Sequence, residues 1–282
     1  MIDIQKIIEE IDNLKPIPQV AHKIISIVED PQSDSTDLAA VILHDPAMTA
    51  NLLRICNSPY FGLSRKVDSV QQAITYLGMD QIVDMVIMKV GCESFKDEHE
   101  GYDLRDGELW RYSVSSALVC RDLAQTKQSK GQHLLFTASL LKDIGKVILH
   151  RYVRDVFDEI DKMVREKQTS FREAEKAILG FDHAEIGGMV AEKWQFSTKL
   201  VHMIRNHHLP EAWKEDDLDT AIVYLADTVC MMMGIGVGSD GLAYRFHSKV
   251  IDALDFSERD LQALIASFGD KLFEVEALIA SA

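Results

Sequence analysis

Proline is scarce beyond the first quarter of this chain. Pro16, Pro18, Pro31, Pro46 and Pro59 come early, and only Pro210 lies later. Cysteine is scarce throughout: Cys56, Cys92, Cys120 and Cys230 are scattered, with no CxxC spacing. This argues against a zinc ribbon and a disulfide scaffold, and favours reduced, mostly buried thiols in a cytoplasmic protein. No long apolar run is present, and the Met231 to Val237 stretch is far short of the roughly 20 residues a membrane helix needs. The start, Met1-Ile2-Asp3-Ile4-Gln5, lacks the basic region and long apolar run of a signal peptide. Positive charge is deficient as well: 30 Lys and Arg face 45 Asp and Glu, a net charge of -15. Nucleic acids and anionic membranes are therefore poor partners. Alternating strand patterns are nearly absent.

What is present is helical. The 282 residues are 47% hydrophobic and 27% charged, as in an ordinary globular protein with ample core material. Ser69 to Gln72, Ser170 to Glu173, Asp182 to Glu185 and Ser257 to Asp260 read as helix starts, the first two leading to stops at Gly78 and Gly180. The early prolines suit the first turns of several short helices. The spacing predicts helices near 2–13, 17–29, 35–43, 46–57, 69–76 and 79–94. Further helices are expected near 107–128, 131–140, 144–151, 153–167, 171–178, 183–193, 197–207 and 217–232, with one or two more in 247–280. The fold class is all-α. The polar stretch Lys96 to Gly101 suggests a boundary.

Ten histidines are present, and several gather with acids in the middle third. Leu140-Leu141-Lys142-Asp143-Ile144-Gly145-Lys146 is followed by His183, then His207-His208 before Pro210, then Asp227 inside an apolar helix. A buried Asp needs a partner, and imidazole with carboxylate is a ligand set for divalent metals. Adjacent helical residues point about 100° apart. His207 and His208 reach one centre only at a helix end; otherwise each serves a different one. Asp143 also reads as an N-cap for the helix that follows. Weaker candidates have plainer readings. Gly234 to Gly238 follows a helix and lacks the P-loop lysine and hydroxyl, so it reads as a helix terminator and loop. Met231 to Met233 reads as core filling, and Asn57 to Gly62 as a packed helix corner. Ser113 to Ser116 has no nucleophile elbow.

Leu140 to Lys146 resembles the His-Asp motif of the HD phosphohydrolase superfamily, with Lys142 in place of the histidine. Leu14-Lys15-Pro16-Ile17-Pro18, His44 to Thr49, Asn57 to Gly62, Ala73 to Gly78, Leu109 to Ser113 and Asp182 to Gly187 together resemble the HD-related output domain (HDOD) family, over about residues 14–230. The resemblance implies an N-terminal helical layer (1–100), an HD-like lobe (101–235) and a C-terminal helical extension (236–282). It implies that Asp143, His183, His207, His208 and Asp227 stand at metal-ligand positions, and that Tyr112 and Lys142 replace expected ligands. A protonated lysine has no lone pair to offer a metal. Lys142 or Lys146 is expected to neutralise the carboxylates that a metal would otherwise neutralise. The family implies a non-catalytic signalling or regulatory protein acting through protein contacts. The alternative is a metal-dependent phosphohydrolase or cyclic-nucleotide phosphodiesterase, with Lys146 as a phosphate contact. A third reading is a small anionic ligand held by Lys142 and Lys146.

Overall fold

The computed structural model describes residues 4–14, 19–30, 32–95, 97–129, 131–209, 213–236, 238–241 and 246–281. Lys15 to Pro18, Pro31, Lys96, Pro210 and Val237 lie outside them, so the expectations resting on those residues have no structural counterpart here. Among the described residues no β-sheet forms; His99 and Leu104 pair in an isolated antiparallel bridge.

The first six helices, termed the first layer, are α1 (Ile4–Asn13), α2 (Gln19–Glu29), α3 (Ser35–Leu43), α4 (Pro46–Cys56), α5 (Val70–Leu77) and α6 (Met79–Phe95). The next eight, termed the lobe, are α7 (Glu108–Thr126), α8 (Gln132–Leu141), α9 (Ile144–Asp155), α10 (Phe157–Lys167), α11 (Phe171–Leu179), α12 (His183–Lys193), α13 (Thr198–Asn206) and α14 (Leu218–Met232). The chain ends in α15 (Lys249–Ala253), α16 (Glu258–Asp270) and α17 (Leu272–Ser281). Short 3-10 turns occupy Pro59–Phe61, Glu100–Tyr102 and Ser239–Gly241.

Local chemistry explains most of these boundaries. Ser170, Asp182 and Ser257 form reciprocal capping boxes with Glu173, Glu185 and Asp260. Each box satisfies two otherwise orphaned backbone donors. Ser69 accepts from Gln72 N, but the Gln72 side chain turns to Asp68 N instead, so the box is half closed. Pro46 and Pro59 stand in first turns, where a missing N–H costs nothing. Gly78 and Gly180 end their helices at φ 83° and 101°, a region that suits glycine.

One apolar core runs from Ile7 in α1 to Leu278 in α17. α7 packs on both α8 and α14, and α9 packs on α12. The α9–α12 approach is close because Gly145 faces the backbone of α12: a Cβ there would lie 1.9 Å from His183 O. Gly101 plays the same part against α9, where a Cβ would meet His150 O at 2.0 Å. His99 and Tyr102 beside it are buried, while Asp97, Glu98 and Glu100 stay exposed. The Asn57 corner is clamped by its own amide, which donates to Val67 O and accepts from Val67 N, both at 2.9 Å. Ser113, Ser115 and Ser116 are buried. Met231 and Met233 pack against the core, but Met232 is 61% exposed, contrary to the core-filling expectation, because it turns outward at the last residue of α14.

Candidate functional site

The α8–α9 junction delivers Lys142, Asp143 and Lys146 to the centre of the lobe, where they are 0%, 1% and 2% exposed. Such burial of three charged side chains requires partners. The Lys142 ammonium is hydrogen-bonded to Asp143 Oδ2 and lies 2.7 Å from Asp227 Oδ1, on α14. Lys146 Nζ is 2.8 Å from the other oxygen, Asp143 Oδ1. Tyr112, on α7, donates its hydroxyl to Asp227 Oδ1 at 2.6 Å. Its ring lies under Lys142 Nζ, 4.3 Å from the centroid, and Tyr102 offers a second aromatic face 5.6 Å from Lys146 Nζ. An ammonium is attracted to such faces, most strongly where water is excluded.

The protonation states follow from this packing. Burial disfavours the Asp143 carboxylate, yet the Lys142 and Lys146 charges more than offset that and hold it well below the usual range. Burial likewise opposes the Lys142 ammonium, and Asp143 and Asp227 reverse the balance to keep it charged. Burial, then the Asp227 charge, pushes the Tyr112 phenol well above its ordinary value, so it remains a donor. Asp143 stands at the N-cap position of α9, but its side chain makes no cap hydrogen bond. Both oxygens are taken by lysines.

Three histidines close the other side. α13 ends at Asn206, so His207 and His208 leave the helical repeat and both reach the same centre. His183 Nε2 lies 2.8 Å from His208 Nε2, and the nitrogens of His183, His207 and His208 lie within 4.8 Å of one another. His183 Nε2 and His207 Nε2 are each 3.9 Å from Asp143 Oδ1. Burial pushes His207 down to about 3, so it is neutral. Its Nδ1–H donates to Ile204 O at 2.7 Å, leaving a buried Nε2 lone pair with no partner. Burial, followed by its two histidine neighbours, also holds His208 well below its ordinary value. His183 differs. Burial opposes its charge, but the Glu175 carboxylate beside it raises it.

Glu175 is a site residue that sequence reasoning missed. It is fully buried on α11 and accepts from both His183 N (2.9 Å) and His183 Nδ1 (2.8 Å). Tyr102, also missed, donates its hydroxyl to Glu175 Oε1. A signal for Glu175 existed: it lies four residues after Phe171, on the apolar stripe of an amphipathic helix, where a solvated acid does not belong. Tyr102 carried no comparable mark.

The two halves of the site differ in their fitness for a metal. A cation bridging Asp143 and Asp227 would have to take the place of the Lys142 ammonium, beside a second ammonium on Lys146. The carboxylate half does not fit one. The histidine half does. The orphaned His207 Nε2 points inward, and Glu175 orients His183 through Nδ1 as a carboxylate orients a metal-bound imidazole. Two nitrogens on a tetrahedral zinc would stand about 3.4 Å apart. The 2.8 Å gap between His183 and His208 would need to open only slightly. These three histidines could therefore hold a metal ion.

A model of the HDOD domain family matches residues 14–210. The chain belongs to the HDOD domain family. The fold agrees. The chain is similar to an HDOD domain protein of unknown function from Geobacter sulfurreducens, with a TM-score of 0.76 and 23% identity over 98% of this chain and 95% of that one. It is 25% identical to an uncharacterized protein of Treponema pallidum (strain Nichols) over 215 residues, 72% of this chain and 40% of that protein. It is also 25% identical to the uncharacterized protein YuxH of Bacillus subtilis (strain 168) over 140 residues, 49% of this chain and 33% of YuxH. Both curated relatives are thus matched over well under half of their own length. The site joins α7, α8, α9, α11, α12, α13 and α14 through buried polar contacts, and Asp227 on α14 lies beyond the matched residues 14–210.

Proposed function

We propose that this HDOD domain is a non-catalytic signalling module that works through protein contacts, its HD-type centre held by internal ion pairs. The observation that carries this reading is Lys142. Its ammonium contacts Asp143 and lies 2.7 Å from Asp227, at the position a bridging metal would need. Water activation by a metal depends on a cation held beside an open coordination position. Here the two carboxylates are already neutralised, and the neutralising groups cannot act as Lewis acids.

The charges of the cluster close without a metal. Lys142 and Lys146 balance Asp143 and Asp227, His207 and His208 are neutral, and Glu175 is paired with His183, whose proton its carboxylate favours. This also weighs against the small anionic ligand and against Lys146 as a phosphate contact. Both ammoniums are buried and committed to carboxylates. Protein partners remain the best-supported class, with nucleic acid disfavoured by the net charge of -15. Among the described residues no helix is long and apolar enough to cross a membrane. The free, mostly buried cysteines suit the cytoplasm.

The phosphohydrolase reading keeps one observation in its favour, the three-histidine cluster. Elemental analysis of natively purified protein, paired with a phosphodiester and nucleotide hydrolysis panel, separates the two. The expected result is no metal-dependent turnover, whether or not the histidines carry an ion. Metal-dependent turnover that disappears in Asp143→Ala would overturn the proposal.

A further inference from the structure

A polar cavity, of about 200 Å³, opens at the seam between the first layer and the lobe. It shares no walls with the lysine–histidine cluster. Its sides come from α6 (Asp80, Gln81, Asp84), α7 (Arg121) and the start of α8 (Gln132, His133). Asp84 and Arg121 are its deepest members, 3% and 8% exposed.

The Arg121 guanidinium is largely committed elsewhere. Nη1 donates to Gln81 Oε1 at 2.9 Å and Nη2 to the Tyr60 hydroxyl at 2.5 Å. Its contact with Asp84 Oδ2 is long, 3.5 Å, and Asp84 Oδ1 has no hydrogen-bond partner. Buried carboxylate oxygens are rarely left in that state without a donor to come. Burial pushes the Asp84 carboxyl up to about 7 although Arg121 opposes it, so the group remains short of positive charge. One helical turn earlier on the same face, Asp80 sets an exposed second carboxylate at the rim. An anion would meet both acids and find the guanidinium occupied. A bare divalent ion would want six or more oxygen ligands, and Arg121 already stands against the deepest one.

We propose that this cavity binds a small organic cation, an alkyl ammonium whose N–H donors take Asp84 Oδ1, with a second ammonium favoured by Asp80. Such a ligand would touch α6 of the first layer together with α7 and α8 of the lobe, and so would tie the two together.

Titration calorimetry on the full chain with 1,4-diaminobutane, n-butylamine and magnesium chloride tests this. Saturable 1:1 binding of the diamine is expected, with n-butylamine weaker. Asp84→Asn should weaken diamine binding about tenfold or more, the loss of a charge-assisted hydrogen bond. Asp80→Asn, at an exposed position, should weaken it up to about fivefold, and it keeps the test alive if the buried variant does not fold. Three outcomes would overturn the proposal: no saturable heat at millimolar diamine, diamine binding indifferent to both substitutions, or displacement of the diamine by equimolar magnesium.

Discussion

Lys142→Met puts the ion-pair reading at most risk. Methionine approximates the volume of the lysine stem and carries no charge, so the change removes an ammonium without opening a large hole. Removing one partner of a buried ion pair costs about 3–5 kcal/mol, because the other charge is left uncompensated. Here the lower end applies. Asp143 retains Lys146 at 2.8 Å, and Asp227 retains the Tyr112 hydroxyl at 2.6 Å. With a urea m-value of about 3 kcal/mol/M for a chain of this size, a loss of about 3 kcal/mol lowers the unfolding midpoint by about 1 M. The double variant Lys142→Met/Asp227→Asn supplies the control. With the ammonium gone, the Asp227 charge has become a liability, so its removal should cost about 1–2 kcal/mol less than it does in the wild type. A third arm adds Mn²⁺. Lys142→Met exposes the two carboxylates to a cation, and an ion at a hundred times its Kd would restore about 2.7 kcal/mol. A midpoint shift below about 0.3 M, or additive behaviour of the two substitutions, would show that the ammonium does not hold the site together. Equal stabilisation of wild type and variant by Mn²⁺ would show that it does not stand in for a metal.

Three further outcomes follow from the same contacts. Gly145→Ala would place a Cβ 1.9 Å from His183 O, a backbone atom that cannot turn aside, so α9 and α12 must separate at a cost of about 1–3 kcal/mol or more; an unchanged melting temperature refutes the close packing. Glu175→Gln removes the charge that raises His183, leaving burial to lower it, so the imidazole NMR titration of His183 should move from above its ordinary value to below it, with about 1–3 kcal/mol of stability lost. Burial, with His150 second, holds His99 down to about 4 against 6.5 unfolded, so the native state refuses a proton that the unfolded chain accepts. Its contribution is therefore complete above about pH 6.5 and fades as pH falls towards 4, by about 2 kcal/mol between pH 7.5 and 5. Asp84, raised to about 7, acts in the opposite direction over the same range. The decisive quantity is thus the difference in slope between wild type and His99→Gln, and equal slopes would refute the assignment.

Much of this fold could be read from single residues. Ser170, Asp182 and Ser257 announced three helix starts because a capping box is a local device that needs only four consecutive residues. The break between α9 and α10 at Val156 was displaced from the expected position, since no glycine or proline marks it. The site was legible where chemistry departs from its surroundings: Lys142, Asp143 and Asp227 are charges within apolar runs. Its geometry was not. That the Lys142 ammonium also meets Asp227, and that His183 and His207 close on Asp143, depends on how α12, α13 and α14 pack around the α8–α9 junction, which no local pattern encodes. Glu175 was overlooked because it resembles one more acid on a polar helix until Phe171, Ala174 and Leu179 are counted as its face.

On the proposed reading, a lysine at position 142 has a consequence for signalling. A bound metal at the centre of the lobe would make the arrangement of seven helices depend on an exchangeable ion, since binding stabilises only in proportion to ligand supply. Lys142 achieves a similar cross-link with a covalently attached cation. Its stem rises from the α8–α9 junction, its ammonium joins Asp143 to Asp227 on α14, and the Tyr112 ring lies beneath it on α7. The shape presented to a partner then no longer varies with metal concentration through the carboxylates. The histidine half retains the one unsatisfied buried lone pair of this cluster, on His207, so any dependence on metal would enter there. An ion on His183, His207 and His208 would also require His183 to give up its proton, which the Glu175 carboxylate favours keeping. Metal binding at that half should therefore strengthen as pH rises, in contrast to a site already neutral and open.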